Sequence, residues 1–419
     1  MWQAIADRET CRRSWSTIEE IERCLLEPPA AEDVGAPPNP ALGNGVPGRA
    51  LFFSYLAAAR ESSEDADHAL EALERSADAL VEARTVPSLY LGFCGVGWVL
   101  EHLSRQFFEA DGDLCAEIDE ALREVLSKVS ERQPYELIGG LSGIGVYLVE
   151  RLPNPGAADL LSRVLDLLVE TTEESEAGTA WYTPPDWLTD SLRGEMPEGC
   201  FNLGVAHGIP GVIGFLAAAE REGFQDRRIR PLAESAIRWM LGQKRASGDE
   251  SLLPAFVIPG RESVPTRTAW CYGDLGFATV LLSAARSFGR TDWEAEAISL
   301  ARLAARRPTA AMKAVDVGLC HGTAGIAHLF NRLYQATGDA ELKVAALSWF
   351  RRTLDMKRPG EGLAGLLSWF SPVPGEGSWR SETGFLVGIA GVGLALLAAV
   401  TEVEPAWDRV MLVSIPPRR

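Results

Sequence analysis

The chain has 419 residues, of which 47% are hydrophobic, and a formal charge of −18. That is enough for two or three average domains or one large closed architecture. The acidic balance excludes a nucleic-acid partner, since neutralising phosphates needs a surplus of Lys and Arg. Seven cysteines, odd in number and scattered, form no disulfide framework and point to reduced thiols in a cytoplasmic compartment.

From the N-terminus, residues 1–12 carry charges of both signs and no apolar core, so no signal peptide is expected. A helix is predicted over Ser16–Leu26, followed by a Pro-rich linker, Pro28–Pro40. Residues 1–40 are thus set apart from a single domain over 41–419. No apolar run reaches the ~18 residues of a membrane span. The longest candidate, Gly384 to Val400, is rich in Gly and Ala and fits a buried helix.

From residue 41 onward one pattern returns seven times: G-x-x-G followed by about ten apolar residues. It starts at Gly45, Gly92, Gly140, Gly208, Gly273, Gly322 and Gly388, at intervals of 47, 48, 68, 65, 49 and 66 residues. A motif recurring at such spacing marks a repeat architecture. Between motifs lie amphipathic stretches, Ala66–Ala83, Leu114–Val129 and Asp159–Glu170, with Leu and Val at helical spacing among charges. Each unit therefore reads as a glycine-started apolar helix followed by a more polar one. Seven such pairs, apolar helices inside and polar helices outside, predict an all-α fold, an α/α toroid. The three long intervals carry insertions, Thr171–Phe201, Gln243–Thr268 and Asp355–Glu382, rich in Pro, Trp, Gly and Ser. They read as loops or short strands near a site. Trp181, Tyr182, Trp187, Trp369 and Trp379 lie in two of them and are read first as rim packing, with peptide contact as the lesser reading.

Aligning the repeats on the first glycine brings chemistry into register. One residue before it stand His207, Tyr272 and His321, and two before it stand Cys271 and Cys320. Glu136 precedes Gly140 by four, and Arg267 precedes Gly273 by six. Superposed repeats put such side chains at one height on neighbouring spokes. Closed structural zinc sites use four protein ligands, and catalytic ones commonly use three. Cys271, Cys320 and His321 are therefore expected to hold one zinc ion, its fourth position left to water or a substrate thiolate. His207 has the chemistry of an acid or base near neutral pH. Arg267 is suited to an oxyanion or a carboxylate, and Tyr272 to donating a hydrogen bond. Cys94, Cys115 and Cys200 are read as buried small hydrophobes, and His68, His102 and His328 as packing or solvated residues.

These residues match a known family. Trp270-Cys271-Tyr272-Gly273, Cys320-His321-Gly322 and Ala206-His207-Gly208-Ile209-Pro210-Gly211 resemble the lanthionine synthetase C family, the cyclases of lanthipeptide biosynthesis. The resemblance spans all seven glycine motifs. It implies addition of a peptide Cys thiol to dehydroalanine or dehydrobutyrine, giving lanthionine or methyllanthionine, with zinc on Cys271, Cys320 and His321. By position, His207 matches the residue proposed to handle the enolate proton, and Arg267 and Tyr272 match the family's active-site Arg and Tyr. Where the family usually has an Asp, this chain has Glu136, a carboxylate one methylene further out. With no kinase or dehydratase segment ahead of the repeats, the chain resembles the free-standing cyclases. The implied partners are a precursor peptide with a leader and a dehydrated core, and a separate dehydratase. The resemblance leaves room for a membrane-associated complex, although no segment of this chain is expected to span one.

Three other readings use the same residues. A family member could bind glutathione or add it to dehydrated peptides. A glycan-active α/α toroid would use Glu136 and Asp274 as a carboxylate pair, leaving the cysteine register unexplained. A noncatalytic scaffold would keep zinc for structure alone.

Overall fold

The computed structural model describes residues 2–27, 38–83, 85–129, 132–245, 251–373 and 376–418. The linker Pro28–Pro40 thus lies largely outside the described residues, as do residues 246–250 of the second insertion. In chain order the helices and strands are α1 (Arg8–Leu26), α2 (Pro47–Arg60), α3 (Ser63–Glu82), α4 (Phe93–Gln106), α5 (Ala116–Ser127), α6 (Leu141–Glu150) and α7 (Pro155–Glu170). Strands β1 (Thr172–Ser175) and β2 (Gly178–Thr183), the short α8 (Asp190–Glu195) and β3 (Cys200–Asn202) fill the first insertion. Then come α9 (Ile209–Arg221), α10 (Ile229–Gly242), β4 (Phe256–Val257), α11 (Asp274–Phe288), α12 (Thr291–Arg306), α13 (Thr323–Thr337) and α14 (Ala340–Asp355). Strands β5 (Ser368–Val373) and β6 (Glu376–Arg380) precede the last helix, α15 (Ile389–Val400).

The two kinds of helix start differently. Glycine is the N-cap residue of α4, α6, α9, α11, α13 and α15, and no side chain caps these helices. Every residue of α6, α11 and the first eleven of α15 is buried, so an apolar sequence on all sides is what their surroundings require. Three of the polar helices, α3, α7 and α14, begin on side-chain caps that satisfy free N–H groups at the first turn. Ser62 accepts from Asp65 N at 3.2 Å, Asn154 from Gly156 N at 2.9 Å and Asp339 from Glu341 N at 2.9 Å.

The first helix begins at Arg8, earlier than the predicted Ser16. Asp7 caps it, accepting from Thr10 N at 2.8 Å. Its first turns bury Thr10 and Ser14, small polar residues that carry no hydrophobic signal although they lie on the same face as Ile18, Ile21 and Leu25.

The chain divides into two compact units. One comprises Met1–Ala116, Ala314–Ser371 and Gly377–Trp407. In it α2 packs on α3, α13 on α14, and α15 against α2 and α13. As α14 covers α13, so α1 covers α15, from the other end of the chain. The Trp2 indole donates to Ala398 O at 2.8 Å, and Ile5 N to Ala399 O at 2.9 Å. His328 sits between Trp2 and Trp407, with ring centroids 6.4 and 4.6 Å away.

The other unit comprises Glu117–Lys313, Pro372–Glu376 and Asp408–Arg419. Here α9 packs against α6 and α11, while α7, α10 and α12 each pack on the apolar helix before them. The first two insertions share one antiparallel sheet, ordered β1-β2-β3-β4, with Thr172 opposite Trp181, Tyr182 opposite Phe201 and Phe201 opposite Val257. Trp181 is fully buried, and its indole donates to Leu168 O at 3.0 Å, so it is a core residue.

The glycine turns are unusually close. A Cβ on Gly273 would stand 2.1 Å from Arg267 O, and the residue has φ +97° and ψ −178°, a region that side chains avoid. Gly273→Ala is expected to lose stability by ~1–3 kcal/mol from backbone strain alone, with more from the clash. Urea unfolding of the variant checks this, and an unchanged midpoint would show that the turn can relax.

Candidate functional site

The turns before the apolar helices position the candidate side chains. Ahead of α6, Ser142 Oγ donates to Tyr135 O at 2.6 Å and Leu141 N to Pro134 O at 2.8 Å, fixing the loop that carries Glu136. Leu137 N donates to Ala206 O at 3.2 Å, which ties this loop to the one before α9 and sets Glu136 beside His207. His207 Nδ1 lies 2.8 Å from Glu136 Oε2. Glu136 also accepts from Ile138 N at 2.9 Å and from Gly139 N at 2.6 Å. Backbone donors therefore hold the longer carboxylate, and it still reaches the imidazole. The His207 side chain is 51% exposed. Burial works against the imidazolium, but the Glu136 hydrogen bond, its charge and nearby Cys271 prevail and raise the His207 pKa above its ordinary value.

Ahead of α11, Ala269 N donates to Tyr272 O at 3.0 Å and Thr268 N to Met312 O at 3.0 Å. The turn buries Cys271 and leaves Arg267 exposed, with no ion pair among the described residues. A Cβ on Gly204 would come within 2.5 Å of Cys271 O and 2.6 Å of the Tyr272 ring, so glycine lets the two loops meet. Asn202 Nδ2 donates to the Tyr272 hydroxyl at 3.1 Å, while its Oδ1 accepts from Gly204 N at 2.9 Å. The backbone contact fixes the amide orientation, and the Tyr272 oxygen is therefore an acceptor towards Asn202.

Ahead of α13, Cys320 N donates to Leu386 O at 2.8 Å, and Asp316 O accepts from Thr323 N at 2.9 Å. Cys320 and His321 are half-buried. The Sγ atoms of Cys271 and Cys320 and a ring nitrogen of His321 all lie within 4.8 Å of one another, forming a candidate metal-binding group. Two thiols and an imidazole match the preferences of zinc and, with three donors, leave room for a fourth.

A sequence profile of the lanthionine synthetase C-like proteins matches residues 36–412. The chain belongs to the lanthionine synthetase C-like family. The nisin biosynthesis protein NisC of Lactococcus lactis subsp. lactis is 25% identical over 325 residues, 74% of this chain and 73% of that one. A solved structure of nisin cyclase superposes with a TM-score of 0.74 at 19% identity, covering 97% of this chain and 98% of that one. A shorter match, 28% identical over 137 residues, 33% of this chain and 31% of the other, is to Glutathione S-transferase LANCL1 of Danio rerio. The fold of this lanthionine synthetase C-like chain is an α/α toroid, as its repeat predicts.

Two polar residues escaped the sequence reading. Asn202 and Asp316 stand six before Gly208 and Gly322, the same column that holds Arg267, so the repeat register itself carried the signal. Asp274 has another part to play than the glycan reading requires. It is fully buried, accepts from Leu252 N at 3.0 Å and Leu253 N at 2.8 Å, and pairs with the equally buried Arg307. Its oxygens are engaged, and only Glu136 of that carboxylate pair faces the open side. The three cysteines read as hydrophobes, Cys94, Cys115 and Cys200, are all buried, and burial pushes the Cys200 thiol up to about 12.

Removing one member of a buried ion pair strands the other charge. Asp274→Ala is therefore expected to cost ~3–5 kcal/mol, measured by urea unfolding. A loss below about 1 kcal/mol, the range of a surface pair, would show that Arg307 finds water or another acceptor.

Proposed function

We propose that this protein is a zinc-dependent lanthipeptide cyclase. It adds Cys thiols of a dehydrated precursor peptide to dehydroalanine or dehydrobutyrine and forms lanthionine and methyllanthionine rings. The observation that carries the reading is the approach of two thiols and an imidazole to within 4.8 Å in a chain of this family. Cys271, Cys320 and His321 are the residues that would hold the ion. When bound, zinc lowers the pKa of an incoming thiol and keeps it nucleophilic.

The rest of the step falls to side chains. The thiol gives up its proton to water, its sulfur bonds to the β-carbon of the dehydro residue, the alkene π pair shifts to form an enolate with its charge on the carbonyl oxygen, and a proton must reach the α-carbon. His207 delivers that proton from the nitrogen that does not face Glu136, and Glu136 holds the ring and favours its protonated form. Arg267, exposed and without an ion pair among the described residues, supplies the cation that stabilises the developing oxyanion. Tyr272, steadied by Asn202, contributes a further polar contact.

The substrate in this reading is a leader-bearing precursor peptide, supplied already dehydrated by a separate dehydratase. Residues 41–419 form the catalytic domain, with the preceding helix docked on it. A cytoplasmic setting fits the seven unbridged cysteines. Among the described residues no helix is long and apolar enough to cross a membrane. A second reading takes glutathione as the thiol and is favoured by the match to the glutathione S-transferase over a third of each chain. Offering glutathione together with a dehydrated, Cys-containing peptide separates the two, because the ring adds no mass and the adduct does.

The direct test is mass analysis with thiol alkylation on a dehydrated precursor. His207→Ala is expected to keep its zinc and slow ring closure by about 10²–10⁴-fold, and wild-type rates would remove His207 from the mechanism. Cys320→Ala is expected to lose most of its zinc, and a full metal complement in that variant would overturn the ligand assignment.

The Glu136 contact raises the His207 pKa, so the imidazolium persists to higher pH than usual. Glu136→Gln is expected to move the His207 titration to lower pH, followed by imidazole NMR. An unmoved titration would mean that Glu136 positions the ring without tuning it.

A further inference from the structure

Behind His321 lies a carboxylate to which no role has been given. The Asp316 side chain is 0% exposed, and its Oδ2 lies 3.5 Å from His321 Nε2. The same oxygen accepts from Trp369 N at 3.1 Å, and Oδ1 accepts from Gly318 N at 3.3 Å. Its main-chain carbonyl takes Thr323 N at the first residue of α13, so the residue is clamped at both ends of the turn. A Cβ on Gly322 would stand 2.4 Å from Oδ1, showing how tightly the turn wraps the carboxylate.

We propose that Asp316 is the positioning residue of the metal centre: it engages Nε2–H of His321 and so reserves Nδ1 for the ion. The proposal rests on the zinc reading above. Three physical points support it. A buried carboxylate needs donors on both oxygens, and two neutral N–H groups leave it under-compensated. The imidazole supplies the third donor, and that contact selects one of the two tautomers of His321. A carboxylate behind a histidine ligand also makes the metal-facing nitrogen more basic, and outer partners of this kind commonly change metal affinity by about 10–100-fold. Because Trp369 N, at the start of β5, shares the same oxygen, the third insertion is anchored to the residue that orients the ligand.

Two measurements on the full chain test the proposal. The first is ¹⁵N NMR of the zinc-loaded wild type, which distinguishes the ligating from the protonated nitrogen of His321. Nδ1 ligated and Nε2 protonated is the expected result; Nε2 ligated would overturn the proposal. The second is zinc affinity of Asp316→Asn by competition with a chelating dye, expected to weaken about 10–100-fold. Wild-type affinity in that variant would overturn it, and if the variant does not fold, the tautomer measurement decides. A wild type that takes up no zinc would instead defeat the underlying zinc reading, and this outcome is distinct from zinc bound through the other nitrogen.

Discussion

The constraint on which the molecule depends is the close return of the chain at each helix start. In the first five glycine motifs, a Cβ on the first glycine would lie between 1.8 and 2.4 Å from the carbonyl oxygen of the residue six earlier. No side chain fits there, so the five intervening residues form a tight strap. In the sixth motif, which carries Cys320 and His321, a Cβ on Gly322 would instead stand 2.2 Å from Gly318 N and 2.4 Å from Asp316 Oδ1. Cysteine or histidine just before the glycine is a chemical choice made on this frame. The frame costs conformational freedom in the unfolded chain, and the buried, mostly apolar helices behind it offset that cost.

Carboxylates show how the frame assigns different work to one functional group. Asp274 follows a motif glycine directly and falls inside the protein, where Arg307 and two backbone donors neutralise it. Glu136 stands before its glycine, meets only the backbone and His207, and keeps a partly open side.

Much of this was legible beforehand because the repeat is rigid. The helix pairs follow from glycine spacing and amphipathic period, and the convergence of Cys271, Cys320 and His321 follows from equal register. The departures have physical causes. The start of α1 was hidden because Thr10 and Ser14 are buried yet polar. Asn202 and Asp316 went unread because a polar residue six before a glycine looks like any loop residue until its partners are known. The first two insertions read as loops or short strands, but their joining into one sheet, with Phe201 opposite Val257, leaves no local period to detect.

The pairing of α1 with α15 has a consequence for the order in which the molecule can be made. The Trp2 indole and Ala398 O are 396 residues apart along the chain. During synthesis α1 emerges long before α15 and must wait for it with its apolar face uncovered. The unit that includes both helices is therefore completed only after α15 has emerged, when most of the other is already in hand. Contacts of such long range slow folding, since a large loop must close before any of them forms. Of the two units, the first therefore depends more on protection of the nascent chain.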